Sequence, residues 1–199
     1  GATAGALVPP GGYWERIRQI CDRYDIKLIA DEVMTGCGRC GRNFCMDHWE
    51  VKPDLIVTAK GLSSGYTPLG AVSVSEEIHE AVKKGSGAFV HGHTYSQNPL
   101  STAIGAAVLA YIEKYRLVER SSRMGKHLLD KLQELRSLEI VGDLRGLGLF
   151  AGIELVKNRK SKETFAPALK VNARVAAEAF GRGLITYPGG GGADGINGD

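Results

Sequence analysis

Two short apolar runs constrain this chain most, because each stops on a charged residue. Leu28-Ile29-Ala30 ends at Asp31, and Leu55-Ile56-Val57-Thr58-Ala59 ends at Lys60. An apolar run of this length, bounded by charge, reads as a buried strand. In open α/β sheets, ligands bind outside the carboxyl ends of the strands. A carboxylate and an amine at two such ends can face one ligand. Spacing alone favours a blander reading, a structural salt bridge or two solvated strand ends.

The rest of the chain completes an α/β pattern of alternating helices and strands. Gly11 and Gly12 open an amphipathic stretch in which Ile17, Ile20, Cys21 and Tyr24 share one helical face. Residues 35–53 leave room for one short helix at most. Leu69 to Val74 is a third strand, and Ile78 to Lys83 a short helix. Asn98-Pro99 starts the clearest helix: Asn suits the N-cap, and Pro suits the first turn, where a missing N–H loses no partner. Leu100, Ile104, Ala107, Val108 and Tyr111 give its apolar face. A second long helix follows from about Val118 to Leu135, with Met124, Leu128, Leu132 and Leu135 on one side. The change of domain is expected near Tyr115, dividing the chain into 1–115 and 116–199. Ile140 to Val156 reads as two strands joined at Gly146. Leu169, Ala173, Ala176 and Phe180 mark a last helix, and Leu184-Ile185-Thr186-Tyr187 a last strand.

The 25 basic side chains exceed the 22 acidic ones by a formal charge of +3. That excess is too small to point to nucleic acid or an anionic membrane as partner. No apolar run approaches the ~18 residues of a membrane span. No basic stretch followed by an apolar one occupies the start, so the expected location is the cytoplasm. The chain begins at Gly1 and runs out through a glycine-rich stretch, Gly189 to Asp199; both are expected to be cut ends.

Four cysteines occur, at 21, 37, 40 and 45. Cys37 and Cys40 form a C-x-x-C with Cys45 close behind, and His48 stands as a fourth ligand for a metal-binding module. A redox pair belongs at a helix start, whereas this one lies in a loop rich in Gly and Arg. Reduced, incidental thiols are the expected state, with no metal bound.

Three stretches, LIADEVMTGCGRCG, PDLIVTAKGLSSGYTPLGAV and HGHTYSQNPL, occur in an order and spacing that resemble the class III aminotransferases of the fold-type-I pyridoxal phosphate superfamily. The resemblance covers essentially the whole chain. It implies part of a large three-layer cofactor domain over 1–115 and part of a smaller C-terminal α+β domain over 116–199. Lys60 in AKGLSSG matches the lysine that carries the cofactor as a Schiff base. Asp31 in ADEV matches the aspartate paired with the pyridine nitrogen. Val33 matches the residue packed on one ring face. Thr94 in HGHTYS matches the threonine that reaches the cofactor phosphate of the neighbouring subunit, which implies a homodimer.

The chemistry of each residue type agrees. Transamination needs an electron sink, and a carboxylate such as Asp31 keeps the pyridine nitrogen protonated by charge pairing. Lys60 must attack a carbonyl and then shuttle a proton, which an always-charged arginine cannot do. Val33 offers an apolar contact, and plain core packing explains it equally. Thr94 lies just before a helix start, where free N–H groups favour an anion; on its own it reads as a turn hydroxyl. His91 and His93 read as turn or interface residues. Tyr66 suits a substrate channel or a packed core equally. Arg145 reads as structural.

Four positions depart from the family pattern. Cys37 and Cys40 stand where Phe and Thr are common. Met34 stands where relatives that use 2-oxoglutarate carry Gln, which favours an ω-amine donor with pyruvate as acceptor. Tyr187 stands where some relatives carry a mobile arginine, and it cannot make a bidentate ion pair with a carboxylate. The resemblance therefore implies a ping-pong transaminase moving an amino group from an amine or ω-amino acid to a 2-oxo acid. An aminomutase of the glutamate-1-semialdehyde type is the alternative within the family. Family members run to roughly twice this length, beyond one domain, so these residues alone are expected to bind cofactor poorly and not to turn over.

Overall fold

A computed structural model of the chain describes residues 5–190. The elements run α1 (Tyr13–Arg23), β1 (Ile29–Asp31), β2 (Leu55–Thr58), β3 (Ala71–Val74), α2 (Glu76–Lys84), α3 (Pro99–Lys114), α4 (Leu117–Leu132), β4 (Val141–Leu147), β5 (Phe150–Leu155) and α5 (Val171–Gly181), with single 3-10 turns between some of them. The chain forms two compact units. Among the described residues, one holds Pro9–Ser122; the other holds 5–8 and 123–190. The boundary thus falls inside α4, beyond the change expected at Tyr115, because one continuous helix serves both units. The residues before Pro9 join the second unit, which the sequence pattern did not suggest.

In the first unit, β1 and β2 are parallel and β3 is antiparallel to β2, in the order β1-β2-β3. The register sets Ile29 opposite Leu55 and Asp31 opposite Val57. The core lies on one side of β1, where Cys21 of α1 meets Leu28, Ala30, Met46 and Val51, with Trp14, Ile17 and Trp49 packed around them. Full burial of side chains such as Leu28 and Met46 stabilises by about 1.5–3 kcal/mol each. Only half of the expected α1 face is used: Cys21 and Ile17 pack inward, while Ile20 and Tyr24 are exposed. The strands are also less buried than apolar runs suggest. Ile29, Val72 and Val74 face outward among the described residues. Residues 35–53 hold one 3-10 turn, Cys45–His48, within the expected limit.

Asn98 caps α3 as its sequence predicts, its side chain accepting from Ser101 N–H at 3.1 Å. The buried residue of α3 is Gly105, while Leu100 and Tyr111 of the expected apolar face are exposed.

In the second unit, β4 and β5 form an antiparallel hairpin with a bulge near Val141 and Asp143. The expected junction at Gly146 is wrong: Gly146 pairs with Ala151 inside the ladder, and the chain reverses at Gly148, which has φ +55°. Positive φ is the conformation glycine adopts without a Cβ clash. Val141, Leu144, Leu155 and Val156 are buried here. α5 forms as expected, but Leu184 to Tyr187 is exposed and is not a strand. An extended segment becomes a strand only with a partner to complete its ladder, and none of the described residues supplies one. The glycine-rich end lies outside the described residues from position 191 on. No described helix is long and apolar enough to cross a membrane.

Candidate active site

Parallel pairing puts the carboxyl ends of β1 and β2 at the same edge of the sheet. Asp31 closes β1 opposite Val57, Glu32 N–H continues the pairing by donating to Val57 O at 2.9 Å, and Lys60 follows just past the end of β2. Asp31 and Lys60 are both exposed. Neither makes an ion pair, with the other or with any described residue. The structural salt bridge that spacing favoured is therefore absent among the described residues, and an acid and an amine remain open at one edge.

Asp31 is held by its own loop. Its Oδ1 accepts from Val33 N–H at 3.0 Å, an Asx-type turn that aims a carboxylate from a strand end. Val33 is thereby fixed beside Asp31 and is half-buried. Met34 next to it is 40% exposed, so it is not a core methionine.

Lys60 begins a 3-10 turn, Lys60–Leu62, with φ +42°. A non-glycine residue with positive φ is uncommon, and its strain persists only where the surroundings fix it. Leu62 N–H donates to Ala59 O at 2.9 Å, and the buried Ser63 donates its hydroxyl to Thr67 O at 2.6 Å. Gly105 of α3 lies against the turn: a Cβ added there would sit 2.5 Å from Leu69 Cδ2 and 3.7 Å from Leu62 O. A Cβ added at Gly61 would sit 3.1 Å from Cys37 Cβ. The loop after β1 thus touches the residue after Lys60.

Glu32 and Asp54 complete the support, and sequence reading singled out neither. Glu32 is 2% exposed; its carboxylate accepts from Met46 N–H at 2.9 Å and from the Thr35 hydroxyl at 2.5 Å. Asp54 Oδ2 accepts from Arg18 at 2.8 Å and from Leu28 N–H at 2.7 Å. The hydrogen-bonded Arg18 guanidinium, then Leu28 N–H, hold the Asp54 carboxyl below the usual carboxylate range. The available signals were Thr35 and Gly36 closely following Glu32, as in a tight turn, and the acid directly before the β2 run.

Thr94 lies exposed in the turn that precedes Asn98. No hydrogen bond or ion pair joins it to Asp31 or Lys60 among the described residues. His91 and His93 are exposed in the same loop, their rings edge to face at 5.1 Å. Tyr66 is 80% exposed, so the packed-core alternative for it falls. Arg145 is occupied: it donates to Glu154 at 2.6 Å, Asp143 at 3.1 Å and Gly5 O at 2.9 Å. Tyr187 is fully exposed.

The cysteines are free thiols. Interaction between the Cys40 and Cys45 thiols draws Cys40 down and, with burial, pushes Cys45 up. Burial, then the Glu32 charge, pushes the Cys37 thiol up. His48 Nε2 is engaged by Cys40 O at 2.8 Å. No three of Cys37, Cys40, Cys45 and His48 bring ligand atoms within 4.8 Å of one another, so the metal-binding module does not assemble among the described residues. The cluster that meets that distance is Glu76, His79 and Glu80, on the surface of α2.

A carboxylate suits a basic ring nitrogen and an amine suits a carbonyl, and Asp31 and Lys60 offer these two groups at one edge of the sheet. The residues fit pyridoxal phosphate: Asp31 suits its pyridine nitrogen and Lys60 its aldehyde carbon. Known proteins agree. The model of the class III aminotransferase family matches residues 2–192. YodT, an uncharacterised aminotransferase of Bacillus subtilis, is 44% identical over 100% of this chain and 45% of its own length. The putrescine–pyruvate aminotransferase of Pseudomonas aeruginosa is 42% identical over 92% of this chain and 40% of its own. The crystal structure of an amine transaminase from an uncultivated Pseudomonas species, with pyridoxal phosphate bound, superposes with a TM-score of 0.89 at 39% identity, over 93% of this chain and 43% of that one. The chain belongs to the class III aminotransferases, a family that depends on pyridoxal phosphate, and its mixed α/β architecture is that of the fold-type-I transaminases. It spans less than half the length of the curated relatives it matches.

Proposed function

We propose that the protein of which this chain is part is a transaminase that moves an amino group from an amine or ω-amino acid to a 2-oxo acid, pyruvate in the first instance. The observation that carries this reading is the pair of open side chains, Asp31 and Lys60, at adjacent parallel strand tips. Pyridoxal phosphate supplies the electron sink for a carbanion at the substrate carbon. Asp31 holds the proton on the ring nitrogen by charge pairing. Lys60 would hold the cofactor through its amine and, as a free amine, would move a proton between the substrate carbon and the cofactor's aldehyde carbon. Val33, fixed two residues from Asp31, supports one face of the ring. Thr94 belongs to the phosphate contacts of the neighbouring subunit, which makes the working unit a homodimer.

One observation favours pyruvate over 2-oxoglutarate: Met34, exposed beside Asp31, offers no hydrogen-bond donor for the cofactor. Borohydride reduction of the full-length protein, followed by peptide mapping, tests the reading. The pyridoxyl label is expected on Lys60; label on another residue, or none, overturns it. Amine turnover that needs no separate 2-oxo acid would replace the transaminase by an aminomutase.

A further inference from the structure

The carboxylate of Glu32 is almost completely buried and makes no ion pair among the described residues. Burying a charged or polar group is expensive unless every part of it is hydrogen-bonded. Here each part is, and the partners come from three segments: β2, the loop just after Glu32, and the 3-10 turn at Met46. Glu32 N–H donates to Val57 O of β2 at 2.9 Å, and Glu32 O accepts from Gly36 N–H at 2.9 Å. One carboxylate oxygen accepts from Met46 N–H in the 3-10 turn after the loop, the other from Thr35. Gly36 lies so close that a Cβ there would be 2.8 Å from Glu32 O.

This residue therefore shapes the loop that follows Asp31, and that loop has two outputs. Its start is Asp31 itself, whose carboxylate is aimed by Val33 N–H. Its continuation, Cys37, packs against Gly61, the neighbour of Lys60. We propose that Glu32 is a positioning residue that sets the distance between the acid and the amine. The proposal rests on the reading of Asp31 and Lys60 as the two ends of the cofactor grip. Met46 anchors the arrangement from the core side, since it is buried in the cluster around Leu28 and Ala30.

The test uses the full-length protein loaded with pyridoxal phosphate, comparing wild type, Glu32→Ala and Glu32→Gln. The readouts are the pH titration of the bound cofactor's visible absorbance, cofactor dissociation, kcat and KM, and the melting temperature. Misplacing reacting groups by about 1 Å costs roughly 100-fold in rate, and loss of an orienting partner at metal sites costs about 10–100-fold in affinity or activity. Glu32→Ala is expected to shift the absorbance titration, weaken cofactor binding by at least about tenfold and lower kcat more than it changes KM. Glu32→Gln keeps an oxygen for Met46 N–H and presents its amide to Thr35, so it should restore the titration and come within about threefold of wild type. If Glu32→Ala lowers only the melting temperature, and titration, affinity and kcat stay at wild-type values, the proposal is overturned and the residue is merely structural. If that variant does not fold, Thr35→Val decides: it deletes one carboxylate contact and should move the titration in the direction expected for misplacement, and an unmoved titration overturns the proposal. Wild type that is not labelled at Lys60 by borohydride would instead bring down the transaminase reading, and this proposal with it.

Discussion

Asp54 offers a direct test of what holds the two strand tips in register. It precedes β2, its Oδ2 ties Arg18 of α1 to Leu28 N–H at the entry to β1, and its own carbonyl accepts from Ser75 N–H at 2.8 Å. A hydrogen bond to a charged group contributes about 1.5–3 kcal/mol. The side chains of Arg18 and Asp54 are 19% and 16% exposed, which moves each contact toward the lower end of that range. Asp54→Ala removes both and should destabilise by roughly 3 kcal/mol; Arg18 keeps Asp22 at 2.8 Å and so is not stranded. Asp54→Asn keeps an oxygen that can serve both donors but loses the charge, and should lose about half as much. The pH dependence has a definite sign. Arg18, then Leu28 N–H, depress the folded pKa of Asp54. The stabilisation is therefore present above the unfolded value of about 3.9 and lost as pH falls through the folded one. Urea unfolding of the cofactor-free full-length protein from pH 7 to pH 3 should show a full gap between wild type and Asp54→Asn down to about pH 5, closing below about pH 4. A gap that stays constant to pH 3, or an Ala variant within about 0.5 kcal/mol of wild type, would refute the assignment.

The remaining expectations are shorter. Asp31→Asn in the full-length protein should keep pyridoxal phosphate bound but lower kcat by orders of magnitude, because the pyridine nitrogen loses its charge partner; kinetics with an amine donor check this. Lys60→Ala should abolish both turnover and borohydride labelling while leaving the phosphate contacts to retain some cofactor by equilibrium dialysis. Gly125→Ala and Gly181→Ala should move the melting temperature in opposite directions. A Cβ at Gly125 of α4 would lie 2.2 Å from the Gly148 backbone, whereas nothing lies within 4 Å at Gly181; the first is overpacked by about 1–3 kcal/mol, and the second gains about 0.5–1 kcal/mol of helix propensity.

The parts legible in the sequence were those in which one residue's chemistry and its place in a local pattern said the same thing. Asn98-Pro99 was readable because a cap and a first-turn proline need only their neighbours. Asp31 and Lys60 were readable as strand ends, since a charge terminates an apolar run whatever lies beyond. Their mutual geometry was not: parallel or antiparallel pairing decides whether two strand ends share an edge, and no local pattern in either run carries that. The motif resemblance carried it instead. Thr94 shows the complement. Its motif assigns it to the neighbouring subunit, and no local pattern in one chain carries a contact between two.

The residues that sequence reading missed share a physical reason. Glu32 and Asp54 belong to types that are mostly exposed, so neither stands out as buried support until its partners are known. Those partners are backbone N–H groups, of Met46 and of Leu28, and every residue but proline offers one, so residue identity gives no hint of the match. The opposite error, expecting Ile20, Tyr24, Leu100 and Tyr111 to be inside, arises because periodicity marks an apolar face without saying what covers it. A reading that treats the acid after a strand as solvated and the apolar face of a helix as buried fails at the same place twice. Here the acid after β1 is buried and hydrogen-bonded at both carboxylate oxygens. The loop from Asp31 to Cys37 is therefore held by directional hydrogen bonds, and that ties the site to Glu32.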